Sequence, residues 1–173
     1  MPSESVVYSI IVTPELIPDG DLAPLLELLS DLSPVLDIMG TVMSQWQIRN
    51  FDDQGATFGK PWAPVKPETQ AEKDALGFGD QTLVRYGRIA SEIGETVLLT
   101  RDSVTTGINL DFAPEAGYHD DPGPGSHNPQ RILVALVPQE VDDMRQRLID
   151  YISRRTGTLP QGISIVTNGF TMR

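Results

Sequence analysis

Between two helix-forming stretches the chain runs through Phe51-Asp-Asp-Gln-Gly-Ala-Thr-Phe-Gly-Lys-Pro-Trp-Ala-Pro-Val-Lys-Pro-Glu-Thr69, and this segment constrains the fold more than any other. Gly55, Gly59, Pro61, Pro64 and Pro67 forbid a continuous helix or a central strand, since proline brings no N–H and restricts the residue before it. The segment is therefore an extended arm or loop whose shape is set by its prolines. Trp62 lies in its middle. A tryptophan between two prolines loses little further backbone entropy on docking and can bury about 200 Å². Such an anchor has two destinations, the protein's own core or a neighbouring subunit, with Phe58, Pro61, Pro64 and, further on, Tyr118 as companion contact candidates.

With 173 residues the chain is expected to form a single domain, long enough to bury about 70% of its unfolded surface without disulfides or metals. The absence of cysteine excludes thiol catalysis and Cys-based zinc sites. No apolar run approaches the about 20 residues of a membrane span, and the N-terminus lacks the basic-then-apolar plan of a signal peptide, so a soluble protein made in the cytoplasm is expected. A formal net charge of -11 argues against a phosphate-binding surface. Residues 1–53 concentrate that charge, with nine acids, among them Asp19, Asp21 and Glu27, against the single base Arg49. Such an excess reads first as a solvated face.

Ser5 to Val12 is β-branched and apolar and reads as a strand. From Asp21, a plausible cap, Leu22, Leu25, Leu26 and Leu29 recur at helical spacing. Ser33-Pro34 restarts the helix, with Ser33 at the cap and Pro34 at the first helical position. Val35, Ile38, Met39, Val42, Met43 and Trp46 then form one apolar stripe. Pro67 to Ala75 reads as a short, exposed polar helix, and Gly87 breaks the stretch from Leu83 to Ile93. Glu95 to Leu99 and Ser103 to Asn109 flank Thr100-Arg-Asp102 as a β-hairpin. Asp111 to Gln130 is a turn or short helix followed by a loop. Arg131 to Val137 has the continuous apolar character of a central strand. In a final helix introduced by Pro138, acids occupy the first turn and Arg154 and Arg155 the last, while Val141, Met144, Leu148 and Tyr151/Ile152 face the core. Gly157 ends it, and Gly162 to Thr167 forms one more strand beside the N-terminal one. The resulting class is α+β, a mostly antiparallel sheet with the long helix and the C-terminal helix on one face.

The chain carries no recognisable catalytic constellation. His119, Asp120, Asp121 and His127 have metal-ligand chemistry but fall in a Gly/Pro-rich loop with no spacing that presents them together. Neither a dinucleotide fingerprint, a P-loop nor a nucleophile elbow occurs. Asp52/Asp53 and Asp142/Asp143 are adjacent, so on regular structure they point apart. No catalytic, metal or cofactor-binding residue is assigned, and no cofactor is expected.

Arg49-Asn-Phe51, then Gly59-Lys-Pro-Trp-Ala-Pro64 and the helix start from Thr69 to Lys73, resemble the phage virion morphogenesis, or tail-completion, family of Mu-like phages. Tyr86-Gly-Arg-Ile89, Thr106-Gly-Ile-Asn109, Phe112-Ala113 and Pro129-Gln-Arg-Ile-Leu-Val-Ala-Leu136 follow in the family's order, so that the resemblance spans about residues 22–155, with an extra strand at 5–12 and a strand and tail at 158–173 outside it. It departs from the pattern at Ala113-Pro-Glu-Ala116, where the family has Ala-x-x-His, at Tyr86 and at Ile132-Leu133. The resemblance implies a non-enzymatic structural protein of the virion at the head–tail junction or the head-proximal end of the tail, a neck, tail-terminator or tail-completion protein. It further implies a homo-oligomeric ring, six-fold or twelve-fold, that meets neighbouring neck and tail proteins and lets genomic DNA pass without specific binding. In such a ring Asp19, Asp21 and Glu27 are candidates to line the channel and repel phosphates. The alternatives are a transient tail-assembly factor and an unrelated soluble protein-binding module.

Overall fold

The computed structural model describes residues 4–12, 22–84, 87–120, 122–127, 129–135, 137–156 and 163–172. In chain order the elements are β1 (Glu4–Val12), α1 (Leu22–Ser30), α2 (Ser33–Asp52), α3 (Pro67–Ala75), α4 (Arg88–Glu92), β2 (Thr96–Leu99), β3 (Val104–Gly107), α5 (Glu115–Asp120), α6 (Pro138–Thr156) and β4 (Ile163–Met172). The class is α+β. The strands form two separate two-stranded sheets, β1 with β4 and β2 with β3. β1 and β4 run antiparallel from Glu4↔Met172 to Val12↔Ile163, with a register shift between Val6 and Tyr8. The extra residue belongs to β4, where two positions, Asn168 and Gly169, stand opposite Val7.

The backbone gathers into two compact units. One combines Ser3–Thr41, Leu98–Thr105 and Leu136–Arg173. Here α1 and β4 both touch α6. Helix α6 buries Val141, Met144, Leu148 and Ile152, the face expected from their spacing, and leaves Tyr151 half-buried with the Arg155 guanidinium 5.5 Å from its ring centroid. Its start is fixed by more than the macrodipole. Glu140 folds back so that its Oε2 accepts the Val137 N–H at 3.0 Å, the reaching half of a capping box, with Pro138 at the first helical position. Helix α2 is also capped differently from expectation. Leu32 O accepts the N–H groups of Val35 and Leu36, and Asp31 Oδ1 accepts both the backbone N–H (2.9 Å) and the hydroxyl (2.6 Å) of Ser33. Asp31 thus supplies the cap assigned to Ser33, and the Ser33 hydroxyl and then its N–H hold the Asp31 carboxyl below its ordinary range. Asp21 and Gly157 lie outside the described residues.

The other unit combines Val42–Val97 and Thr106–Ala135. Its core consists of Phe51, Trp62, Ile89, Ile93, Ile108, Ala113, Ala116 and Leu133, with Leu83, Val84, Leu110 and Val134 packed against it. Along α2 the buried stripe runs Val35, Met39, Met43, Gln47, Asn50, Phe51, each step three or four residues until the last. Trp46 is half-buried and Ile38 exposed, so the stripe drifts away from the apolar line read from sequence and takes in two amides, Gln47 and Asn50, before Phe51. Helix α3 has the expected bounds and is exposed except for the half-buried Gln70 and the buried Lys73.

Arg131 to Val137 is not a strand. Its described residues join neither sheet. At residues 131–133 the backbone groups are met mostly by side chains: Arg131 N–H donates to His119 O (2.8 Å), Ile132 O accepts from Asn50 Nδ2 (3.0 Å) and Trp62 Nε1 (3.3 Å), and Leu133 N–H donates to Asp120 Oδ1 (2.8 Å). Leu133 earns its apolar character by near-complete burial, not by a place in a ladder.

Trp62 is 8% exposed and stands edge-on to Phe51, centroids 5.7 Å apart, while Phe58 is also buried. Both companion aromatics of the arm are therefore spent within the chain's own core. Truncating Trp62→Ala is expected to cost about 3–5 kcal/mol of monomer stability, from lost transfer energy and the cavity left behind. Urea unfolding of the monomer checks it, and an unchanged midpoint would overturn this intramolecular role.

Candidate functional site, an arm and its cavity

The arm is held by amides. Asn50, fully buried, accepts the Gly55 N–H on its own carbonyl (2.8 Å) and the Phe58 N–H on Oδ1 (3.1 Å), and donates from Nδ2 to Ile132 O. Gln54 follows at φ +57, a conformation that costs a non-glycine residue about 1–3 kcal/mol and persists only where surroundings enforce it. Three bonds do so: its carbonyl accepts the Trp62 N–H (2.7 Å), its Oε1 the Thr82 N–H (2.8 Å), and its Nε2 donates to Phe51 O (2.9 Å). Gly55 (φ +91) lies so close to the indole that a Cβ there would stand 2.5 Å from Trp62 Cδ1 and 2.7 Å from Nε1. Only glycine suits both the conformation and the approach.

Beyond Trp62 the arm forms one wall of a cavity of about 550 Å³, where Pro64, Val65 and Lys66 meet Lys73, Leu83, Val84 and Ile89. Arg88 and Glu115, His119 and Arg131 complete it, with the exposed His127 and Pro129 and, from α3, Thr69 and Glu72. Leu83 sits at φ +64, so strained backbone contributes to the lining. Lys73, 4% exposed, donates its Nζ to Gln81 O at 2.5 Å. Arg88 Nε pairs with Glu115 Oε1 at 3.0 Å.

Arg131 is the centre of the cavity's chemistry. Only 5% exposed, it donates from Nη2 to Ala63 O (3.2 Å), places Nη1 3.3 Å from His119 Nδ1, and leaves Nε buried without a partner. Glu115 Oε2 is likewise buried without a partner. Burial lowers the pKa of Arg131 and of His119, and for His119 the neighbouring Arg131 charge adds to the effect while Glu115 opposes it. A neutral imidazole accepting from Arg131 on Nδ1 satisfies both groups.

The lining includes four basic side chains, Lys66, Lys73, Arg88 and Arg131, against two carboxylates, Glu72 and Glu115, in a chain with 13 basic and 24 acidic residues. Sequence reasoning treated His119 and His127 as loop residues, quoted Asn50, Lys73 and Arg131 only as members of family-like runs, and gave none of them, nor Gln54, a role. A lone amide in a helix or one arginine opening an apolar run carries no pattern by itself. No group of three His, Asp or Glu side chains among the described residues could hold a metal. Of the residues expected at subunit contacts, Phe58 and Trp62 are buried, Pro61 and Pro64 are exposed on the arm, and Tyr118 is 67% exposed on α5. Of the channel candidates, Glu27 is exposed on α1, whereas Asp19 and Asp21 lie outside the described residues, as does Asp121.

The lowered His119 pKa fixes a pH dependence. In the native state the ring holds its proton less tightly than at its ordinary 6.5, so below that value the unfolded chain binds more protons and stability falls. The contribution is complete above the ordinary value and is lost as pH drops through the lowered native one. His119→Gln, which keeps an acceptor for Arg131, is expected to flatten stability between pH 7 and pH 5 relative to the wild type, as read by urea midpoints at each pH; parallel profiles would refute the assignment.

Neither the curated proteins nor the solved structures offer a match to this chain. The model of the phage virion morphogenesis family matches residues 19–114, which take in α1, α2, the Trp62 arm, α3, α4 and the β2–β3 hairpin. More than half of the sequence is thereby accounted for, including the Pro-Trp-Ala-Pro arm and one wall of its cavity, and the chain belongs to the phage virion morphogenesis family.

Proposed function

We propose that the protein is a structural component of the phage head–tail junction or of the head-proximal end of the tail, a neck, tail-terminator or tail-completion protein that forms a ring of identical subunits around the DNA channel. The family match over residues 19–114 carries this reading, since it brings a virion-associated structural or assembly role. The subunit acts by presenting shape, with no reaction and no cofactor, to copies of itself and to neighbouring neck and tail proteins. Two features support it. The β1–β4 ribbon lies wholly outside the matched span and has only two strands, so each keeps an edge unpaired in its sheet, and a lone two-stranded ribbon is marginal by itself. Strand addition from a neighbour is the direct way to complete it. Large apolar side chains are also exposed on several elements, including Leu26, Leu76, Leu98, Phe112 and Tyr118. Heterologous contact between unlike surfaces closes a ring when the rotation permits.

Asp19, Asp21 and Glu27 face the channel in this reading, where acidic walls keep DNA from sticking. A transient assembly factor of the same family is the competing role. The mass of the purified protein, alone and mixed with a tail or neck preparation, tests the ring: a closed oligomer, or one that forms only on particles, is the expected result, and a monomer that particles ignore refutes it. Stoichiometric presence in purified virions separates the lasting component from the transient factor. Lysine at Asp19, Asp21 and Glu27 together is expected to impair DNA ejection, and full ejection would remove the channel role.

A further inference from the structure

Two side chains that line the cavity each keep one buried atom without a partner, and the two are of opposite need. Arg131 Nε is a donor without an acceptor, and Glu115 Oε2 an acceptor without a donor. Leaving such groups unpaired is costly, and more so when they are charged. The guanidinium is already oriented: Ala63 O and His119 hold its two Nη atoms, so the Nε edge is fixed in place. Around it lie Lys66 and Lys73 and the apolar side chains of Val65, Val84 and Ile89. A volume of about 550 Å³ is in the range of pockets that enclose small ligands or peptide side chains.

We propose that this cavity is a receptor for an acidic peptide segment of a partner protein, seating a carboxylate at the Arg131 guanidinium with Lys66 at the rim, and giving a peptide N–H to the Glu115 carboxylate. A carboxylate matches the planar edge of a guanidinium better than a point charge does. A peptide brings acceptor and donor together. The phosphates of a nucleic-acid strand bring acceptors only and would leave Glu115 opposed by like charge with no backbone N–H beside them. The cavity therefore favours protein over nucleic acid. Its occupancy does not depend on the ring, so the two readings stand or fall separately.

The test uses the full-length protein and a fluorescein-labelled hexapeptide of alternating valine and glutamate, read by anisotropy in 50 mM salt. Controls are the same peptide with glutamine for glutamate and a labelled single-stranded oligonucleotide. The glutamate peptide is expected to bind at least ~10-fold more tightly than the glutamine peptide and the oligonucleotide, the loss appropriate to one charge-assisted bond in a partly buried site. Arg131→Lys, which keeps the charge and removes the Nε edge, is expected to weaken it ~10-fold or more. Lys66→Glu, at an exposed position that leaves the core untouched, is expected to do likewise and decides the matter alone if Arg131→Lys does not fold. Equal binding of the glutamine peptide, undiminished binding by the folded variants, or no binding by the wild type overturns the proposal. Tighter binding of the oligonucleotide also overturns it and assigns the cavity to nucleic acid.

Discussion

One side-chain amide determines whether the unit built on Val42–Val97 and Thr106–Ala135 can exist without a large sheet. Two of its segments, the arm and residues 131–135, bring backbone N–H and C=O groups to the core outside either ladder. Each such group left unpaired costs about 1–3 kcal/mol. Asn50 answers for one group on each segment, accepting from Phe58 N–H and donating to Ile132 O, while the turn that begins the arm closes on its backbone carbonyl through Gly55 N–H. An apolar residue of similar size would fill the space, orphan the Phe58 N–H and leave Ile132 O with the Trp62 indole as its remaining donor. The site requires an amide because it requires a donor and an acceptor on one rigid, neutral head.

That dependence explains which parts of the fold were legible. Elements whose cause is local could be read directly: Pro67 at the start of α3, Gly87 before α4, the turn residues Thr100 to Ser103, and the spacing of Val141, Met144, Leu148 and Ile152 on α6. The pairing of β4 with β1 followed from two β-rich stretches at opposite ends of the sequence. Residues 131–137 were misread because a continuous apolar run records burial, not hydrogen-bond partners. Where a strand would find its neighbour's backbone, this run finds Asn50, Trp62 and Asp120 side chains instead. The same blindness applies at helix ends. Ser33 and Glu140 have the composition of caps, but whether Ser33 gives or takes, and whether Glu140 serves a dipole or one N–H, depends on rotamers that spacing does not encode.

The candidate site was hidden for a different reason. Net charge is a sum over the chain, and a sum of -11 conceals a local inversion in which Lys66, Lys73, Arg88 and Arg131 come together from positions 65 residues apart at the extremes. No window of sequence contains that patch. Lys73 appeared as one charge on a polar helix and proves to be buried on Gln81 O, while Arg131 appeared as the first residue of a strand and proves to be a donor fork held by Ala63 and His119.

The arm's prolines and its internal anchors act on the same quantity. A segment of this length, if free, would lose backbone entropy of about 1–2 kcal/mol per residue on being ordered by a partner. In this chain the loss is met during folding, offset by the burial of Trp62 and Phe58 and by the bonds of Asn50 and Gln54, so the exposed faces of Pro61 and Pro64 are already in place before any partner arrives. The buried tryptophan therefore supplies rigidity, and in the proposed ring it would serve assembly by fixing the surface the arm presents, without itself touching a neighbour.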